Sequence, residues 1–161
     1  MPHTCPASPH PARASNKDAI SLLKADHVAV RNLFAEYGMT HLASSKKALV
    51  AEICTALSVH TQIKEEISYP ALKDALPARL AMTPPTLEHA GVKELIAQLQ
   101  TSALDGPAYD TQVMVLRNSV KQQGRQERKE LFPKAQATSL DMIELGARLA
   151  ARRDDLLAHA A

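Results

Sequence analysis

Apolar side chains recur at intervals of three and four through most of this chain, the spacing that gathers them on one face of an α-helix. The first seam is Ile20, Leu23, His27, Val30 and Phe34. Ser15 or Asn16 is placed to cap that helix, Asp18 suits its first turn, and Gly38 marks its end. A second helix, capped by Ser44 or Ser45, carries Leu49, Ile53, Leu57, His60, Lys64 and Ile67 and closes at Pro70. A polar connection through Pro84 and Pro85 leads to a third, from about Thr86, with His89, Val92, Ile96 and Leu99 on its seam. Asp105-Gly106-Pro107 breaks it. The fourth carries Val113, Leu116, Val120, Gln123 and Glu127 and ends before Pro133. A fifth segment, from about Ser139 to Leu157, is amphipathic through Leu140, Ile143, Ala147 and Ala150. No stretch alternates as a strand does. The chain therefore reads as all-α: an antiparallel up-down four-helix bundle, with an additional C-terminal helix packed outside or across one end.

The length of 161 residues fits one domain. Residues 1–14, with four prolines and His3, Cys5 and His10, read as a flexible tail without a role. Residues 15–135 form the bundle and residues 136–161 the C-terminal helix. Abundant Ala and Leu, only five Gly and no Trp agree with helix. Nineteen basic against seventeen acidic residues give a net charge of +2, which argues against a nucleic-acid protein and leaves room only for a local basic patch. No apolar run is long enough to span a membrane, and the N-terminus lacks a secretory pattern, so the expected location is the cytoplasm. There Cys5 and Cys54 would stay reduced. No hydrolytic triad, phosphate loop or nucleotide motif is present, so catalysis is not expected.

The polar positions on the seams carry more information. Asp26-His27 and Glu88-His89 head similar stretches, with the two histidines 62 positions apart. His60 precedes Tyr69-Pro70 by the count at which Gln123 precedes Phe132-Pro133, 63 positions further on. Two related α-hairpins would then point His27, His60, Lys64, His89, Gln123 and Glu127 at the bundle axis. Burying that many polar groups is unfavourable unless they bind one another, water or a metal. Imidazole and carboxylate donors together suit Fe, Zn or Mn.

In this order the residues resemble the hemerythrin-like, or HHE cation-binding, family: His on helix one, His-x-x-x-Glu on helix two, His on helix three, His-x-x-x-Glu on helix four. The stretches AISLLKADHVAVRNLFAEY, VAEICTALSVHTQIKEEISYPAL, EHAGVKELIAQL and ERKELFPKA carry the likeness over roughly residues 17–135. The resemblance implies a bundle holding two non-haem irons, with oxygen binding or sensing, or peroxide or nitric oxide handling, as its activities. It implies metal ligands at His27, His60, His89 and Glu127. At two ligand positions this chain departs from the pattern, with Lys64 for the bridging carboxylate and Gln123 for the helix-four histidine. An ammonium in place of a carboxylate changes the local charge by two units, so a complete di-iron centre is not expected.

The resemblance assigns His27 and His60 to one metal and His89 to the other, with Glu127 reaching both. His27, His60 and Glu127 could then hold one Fe or Zn ion with open positions for water, O2 or another small ligand. Lys64 would stand in for the lost metal, pairing with Glu127 and bonding to Gln123. A register shift could turn Glu65 partly inward as a substitute. A metal-free polar network, in a structural or regulatory bundle, accounts for the same substitutions. Surface exposure is the plain alternative for Glu127, since 122–130 is polar all round. His41 and His159 read as solvated, Cys54 as a packing residue, Tyr69 as a closure of the bundle end, and Arg152-Arg153-Asp154-Asp155 as a solvated face.

Overall fold

The structure, a computed structural model, describes residues 18–80, 86–103 and 105–160. The expected tail, the caps at Ser15 and Asn16 and the turn at Pro84-Pro85 lie outside them. Long helices α1 (Ala19–Gly38) and α2 (Ala43–Ile63) form one hairpin, and α4 (Thr86–Gln100) and α5 (Gly106–Gln126) form another. Short helices α3 (Tyr69–Ala75) and α6 (Phe132–Gln136) extend α2 and α5, and α7 (Met142–His159) follows. The chain is an antiparallel four-helix bundle with an additional C-terminal helix, and no strand occurs among the described residues.

Local chemistry sets the helix ends. Asp18 is the N-cap of α1 rather than a first-turn residue, and its carboxylate accepts from the Ser21 amide at 2.7 Å. Asp141 caps α7, accepting from the amides of Ile143 and Glu144. The expected serine caps of α2 are not used: Ser44 and Ser45 lie inside the first turn, and Leu42 holds the cap position without a side-chain bond. Gly106 takes φ +57° at the start of α5, a left-handed conformation open to a residue without Cβ.

Two helix ends expected at prolines are corrected. Neither Pro70 nor Pro133 stops its helix. Each follows a five-residue π-turn, Lys64–Ser68 and Glu127–Leu131. The Tyr69 amide donates to the Lys64 carbonyl and the Phe132 amide to the Glu127 carbonyl, one residue wider than in an α-helix. Each proline then occupies the first turn of the next α-segment, where a missing N–H is tolerated. The two wide turns start 63 positions apart, so the repeat extends to backbone geometry.

The core is two apolar clusters. One joins Val30 and Phe34 of α1 to Ile53 and Leu57 of α2, Ile96 of α4 and Leu116 of α5. The other joins Leu22 and Leu23 to Ile63, Leu131 and Phe132, and is closed by Leu145 and Leu149 of α7. The expected face of α7 is corrected in part: Leu140 and Ala150 pack partly buried against this cluster, but Ile143 is half exposed and Ala147 exposed, while Leu145, Gly146 and Leu149 are buried. A helix with alanines all round presents two plausible seams, and bulk at Leu145 and Leu149 decides between them. Nor is its charge run purely solvated: Arg152 binds Glu66 at 2.7 Å, and Arg153 lies 3.7 Å from Asp26. Cys54 is fully buried in the first cluster, as a packing residue should be. His41 is exposed, as is His159 in the last turn of α7.

Candidate metal centre

Between the two clusters, each long helix interrupts its apolar seam with polar side chains. His60, Lys64, His89, Gln123 and Glu127 are all buried, and His27 is partly so. The exposed alternative for Glu127 is thus corrected: the residue is 5% exposed although its neighbours on both sides are solvated. Glu127 opens the π-turn that follows α5, and Lys64 opens the one that follows α2.

Three side chains converge. One potential ligand atom from each of His27, His60 and Glu127 lies within 4.8 Å of the other two. His27 Nε2 is 2.6 Å from Glu127 Oε2, and His60 Nε2 is 3.8 Å from the same oxygen. Neither contact has good hydrogen-bond geometry: Oε2 and His60 Nε2 are both buried with no hydrogen-bond partner among the described residues. Buried atoms with lone pairs and no partner are unfavourable unless something else satisfies them. On its other edge, His60 Nδ1 meets Asp26 Oδ2 at 2.9 Å. A carboxylate there fixes the tautomer and leaves Nε2 free to act as a donor atom toward a cation.

Lys64 is fully buried, and its ammonium contacts Glu127 Oε1. The expected pair is present. Gln123 does not complete it as expected, for its amide nitrogen is buried without a partner among the described residues. Burial alone would push the Glu127 carboxyl up, but Lys64 and the two imidazoles outweigh it and hold the group well below its ordinary range.

His89 is buried but stands apart from the three. Its Nδ1 meets Glu65 Oε1 at 3.0 Å, and among the described residues its Nε2 has no hydrogen-bond partner and it belongs to no cluster of three ligating groups. Burial lowers its pKa, Lys64 adds to that, and Glu65 opposes it. Glu65 does not turn inward to replace the lost carboxylate. It is partly exposed and is held by His89 and Lys93. Aromatic rings back both outer histidines across the repeat. Phe132 of the second hairpin stacks on His27 at 6.1 Å, and Tyr69 of the first lies against His89 at 5.7 Å. Tyr69 thus packs on a site residue instead of merely closing an end. Asp26 is the residue sequence reasoning missed. Its place before His27 served only as a mark of the repeat, although it sits one residue from the seam and reaches His60.

No helix among the described residues is long and apolar enough to cross a membrane. The family model for the hemerythrin HHE cation-binding domain matches residues 18–135. Uncharacterized proteins of Mycobacterium tuberculosis and Mycobacterium bovis are each 26% identical over 143 residues, covering 86% of this chain and 87% of theirs. A crystal structure of a hemerythrin HHE cation-binding domain-containing protein from Mycobacterium kansasii aligns with a TM-score of 0.75. It is 22% identical over 89% of each chain, a likeness that speaks for the fold.

Proposed function

The chain belongs to the hemerythrin HHE cation-binding domain family, and on that footing we propose that it binds a single metal ion through His27, His60 and Glu127. The observation that carries this reading is the convergence of two buried donors and the partly buried His27, with Glu127 Oε2 and His60 Nε2 lacking a hydrogen-bond partner among the described residues. Two imidazoles and one carboxylate suit Fe(II) or Zn(II) and leave positions open for water or a small ligand such as O2. The residues present do not fit a second ion. Its place in the polar layer is taken by the Lys64 ammonium, its carboxylate position is lost, and His89 is engaged by Glu65. Paired-iron handling of oxygen, peroxide or nitric oxide is accordingly the weakest reading.

When bound, such an ion supplies Lewis acidity and, if iron, redox chemistry. The chain's own contribution is orientation and shielding. Asp26 orients His60, Phe132 covers His27, and Lys64 balances one oxygen of Glu127. The test is metal analysis of protein purified without chelator, then given Fe(II) anaerobically. One ion per chain is expected. None would overturn the reading, and two would overturn its restriction to a single site.

A metal-free network is favoured by one observation: Lys64 and His27 already face the two oxygens of Glu127. On that reading, added Fe(II) or Zn(II) leaves the melting temperature unchanged. A ligand bound only by the folded state raises it.

A further inference from the structure

Beside His27, between α1 and α5, the surface opens into a cavity of about 220 Å³. Five cationic side chains line it: Arg31 from α1, Arg117, Lys121 and Arg125 from α5, and Arg128 from the π-turn. All five are exposed, and none pairs with a carboxylate among the described residues. The two acids of the lining are already engaged, Asp26 with His60 and Arg153 and Glu127 with Lys64 and His27. In a chain of net charge +2, this places a local excess of positive charge on one opening. Such a rim repels a metal cation, so cation delivery does not account for it. It concentrates anions.

The interior is suited to more than a bare ion. Val30, Phe34, Leu57 and Val120 form an apolar wall. At the site of contact, Gly124 has no side chain to separate Arg128 from His27. A Cβ there would lie 3.3 Å from Arg128 Nη1 and 3.9 Å from His27 Nδ1. That Nδ1 is buried without a hydrogen-bond partner among the described residues, while Nε2 of the same ring faces Glu127 Oε2 at 2.6 Å. With Nε2 serving as donor atom to a metal, Nδ1 carries the hydrogen and needs an acceptor.

We propose that this cavity binds a small organic anion, its carboxylate or phosphate head on Arg128 and His27 Nδ1 and its aliphatic body against Val30, Phe34 and Leu57. Only the His27 contact rests on the metal reading, since the basic rim and apolar wall need no ion. The test is calorimetric titration at constant ionic strength, with hexanoate, hexanol and inorganic phosphate as probes, on metal-free and Fe(II)-treated protein. Hexanoate is expected to bind one per chain in both samples, at least tenfold more tightly than hexanol or phosphate. Arg31→Gln with Arg128→Gln should weaken hexanoate at least tenfold. Gly124→Ala should weaken it without removing a charge, and Arg148→Gln, exposed on α7, should leave it within twofold. Melting temperatures establish that each variant is folded. Equal affinity for hexanol, or unchanged affinity in the double variant, overturns the head-group site. Phosphate binding as tightly as hexanoate overturns the apolar half. Binding confined to Fe(II)-treated protein and indifferent to the arginines overturns the whole, because the anion would then be a metal ligand. The outcome in metal-free protein separates this inference from the metal reading, whose failure would leave binding there intact.

Discussion

The two halves of the polar layer share one sequence pattern and differ in their side chains. In the first, His27 and His60 converge on Glu127, with Asp26 behind His60. In the second, Lys64 and Gln123 occupy the corresponding positions, and His89 is engaged by a partly exposed carboxylate, Glu65. The backbone has not diverged with the chemistry: both halves keep the π-turn, the aromatic-proline pair and a ring laid on the opposite histidine. On the proposed single-metal reading, the difference teaches that the buried Lys64 ammonium stands where a second cation would otherwise sit. Glu127 links the halves, because one oxygen faces Lys64 and the other faces the imidazoles.

Removing that link should have the largest effect. Glu127→Ala leaves Lys64 buried without its counter-charge, and breaking a buried pair from one side typically destabilises by about 3–5 kcal/mol. Denaturant unfolding should show a loss of that order together with loss of metal. Lys64→Met with Glu127→Met should cost less than Glu127→Ala, because no charge is then stranded. A double variant as unstable as Glu127→Ala would show that the pair is not the source.

Restoring symmetry is the next step down. Lys64→Glu with Gln123→His returns both missing donors, and metal analysis should rise from one ion per chain to two. Neither single change should do so. Glutamate alone lacks a second imidazole, and histidine alone still faces the ammonium. A ratio that stays at one would mean that the second half has lost its geometry as well as its ligands.

The bundle and its polar layer were legible because the helical period and the ligand order survive in the chain. Lys64 stands out as a base at a seam position flanked by Ile63 and Ile67, and its pairing with Glu127 follows from burial alone. What was not legible depends on backbone register or on reach across helices. Pro70 and Pro133 signal helix ends, and only the wide turns before them show why they are not. The alanine-rich α7 has two plausible faces, and its choice is made by the cluster it covers. Asp26 lies beside a ligand candidate in sequence yet acts on another helix, a contact no spacing rule predicts.

The smallest effects come from the carboxylates behind the histidines, and they sharpen the contrast between the halves. Asp26 and Glu65 make similar contacts, 2.9 and 3.0 Å to a ring Nδ1. Outer-shell groups of this kind are worth about 10–100-fold in metal affinity where their histidine holds the metal. Asp26→Asn should therefore weaken Fe(II) or Zn(II) binding by about that factor in a competition assay. Glu65→Gln should leave it unchanged, since the proposed centre does not include His89. What Glu65→Gln should move is the titration of His89 followed by NMR. Burial and Lys64 hold that ring's pKa below its ordinary value of 6.5, and Glu65 pulls it back up. Without the carboxylate, the midpoint should fall further. Acid then reaches the folded ring later, while the unfolded chain still takes its proton near 6.5, so the loss of stability below that pH should steepen. A Glu65→Gln protein with weakened metal binding would place His89 in the centre and erase the distinction between the two halves.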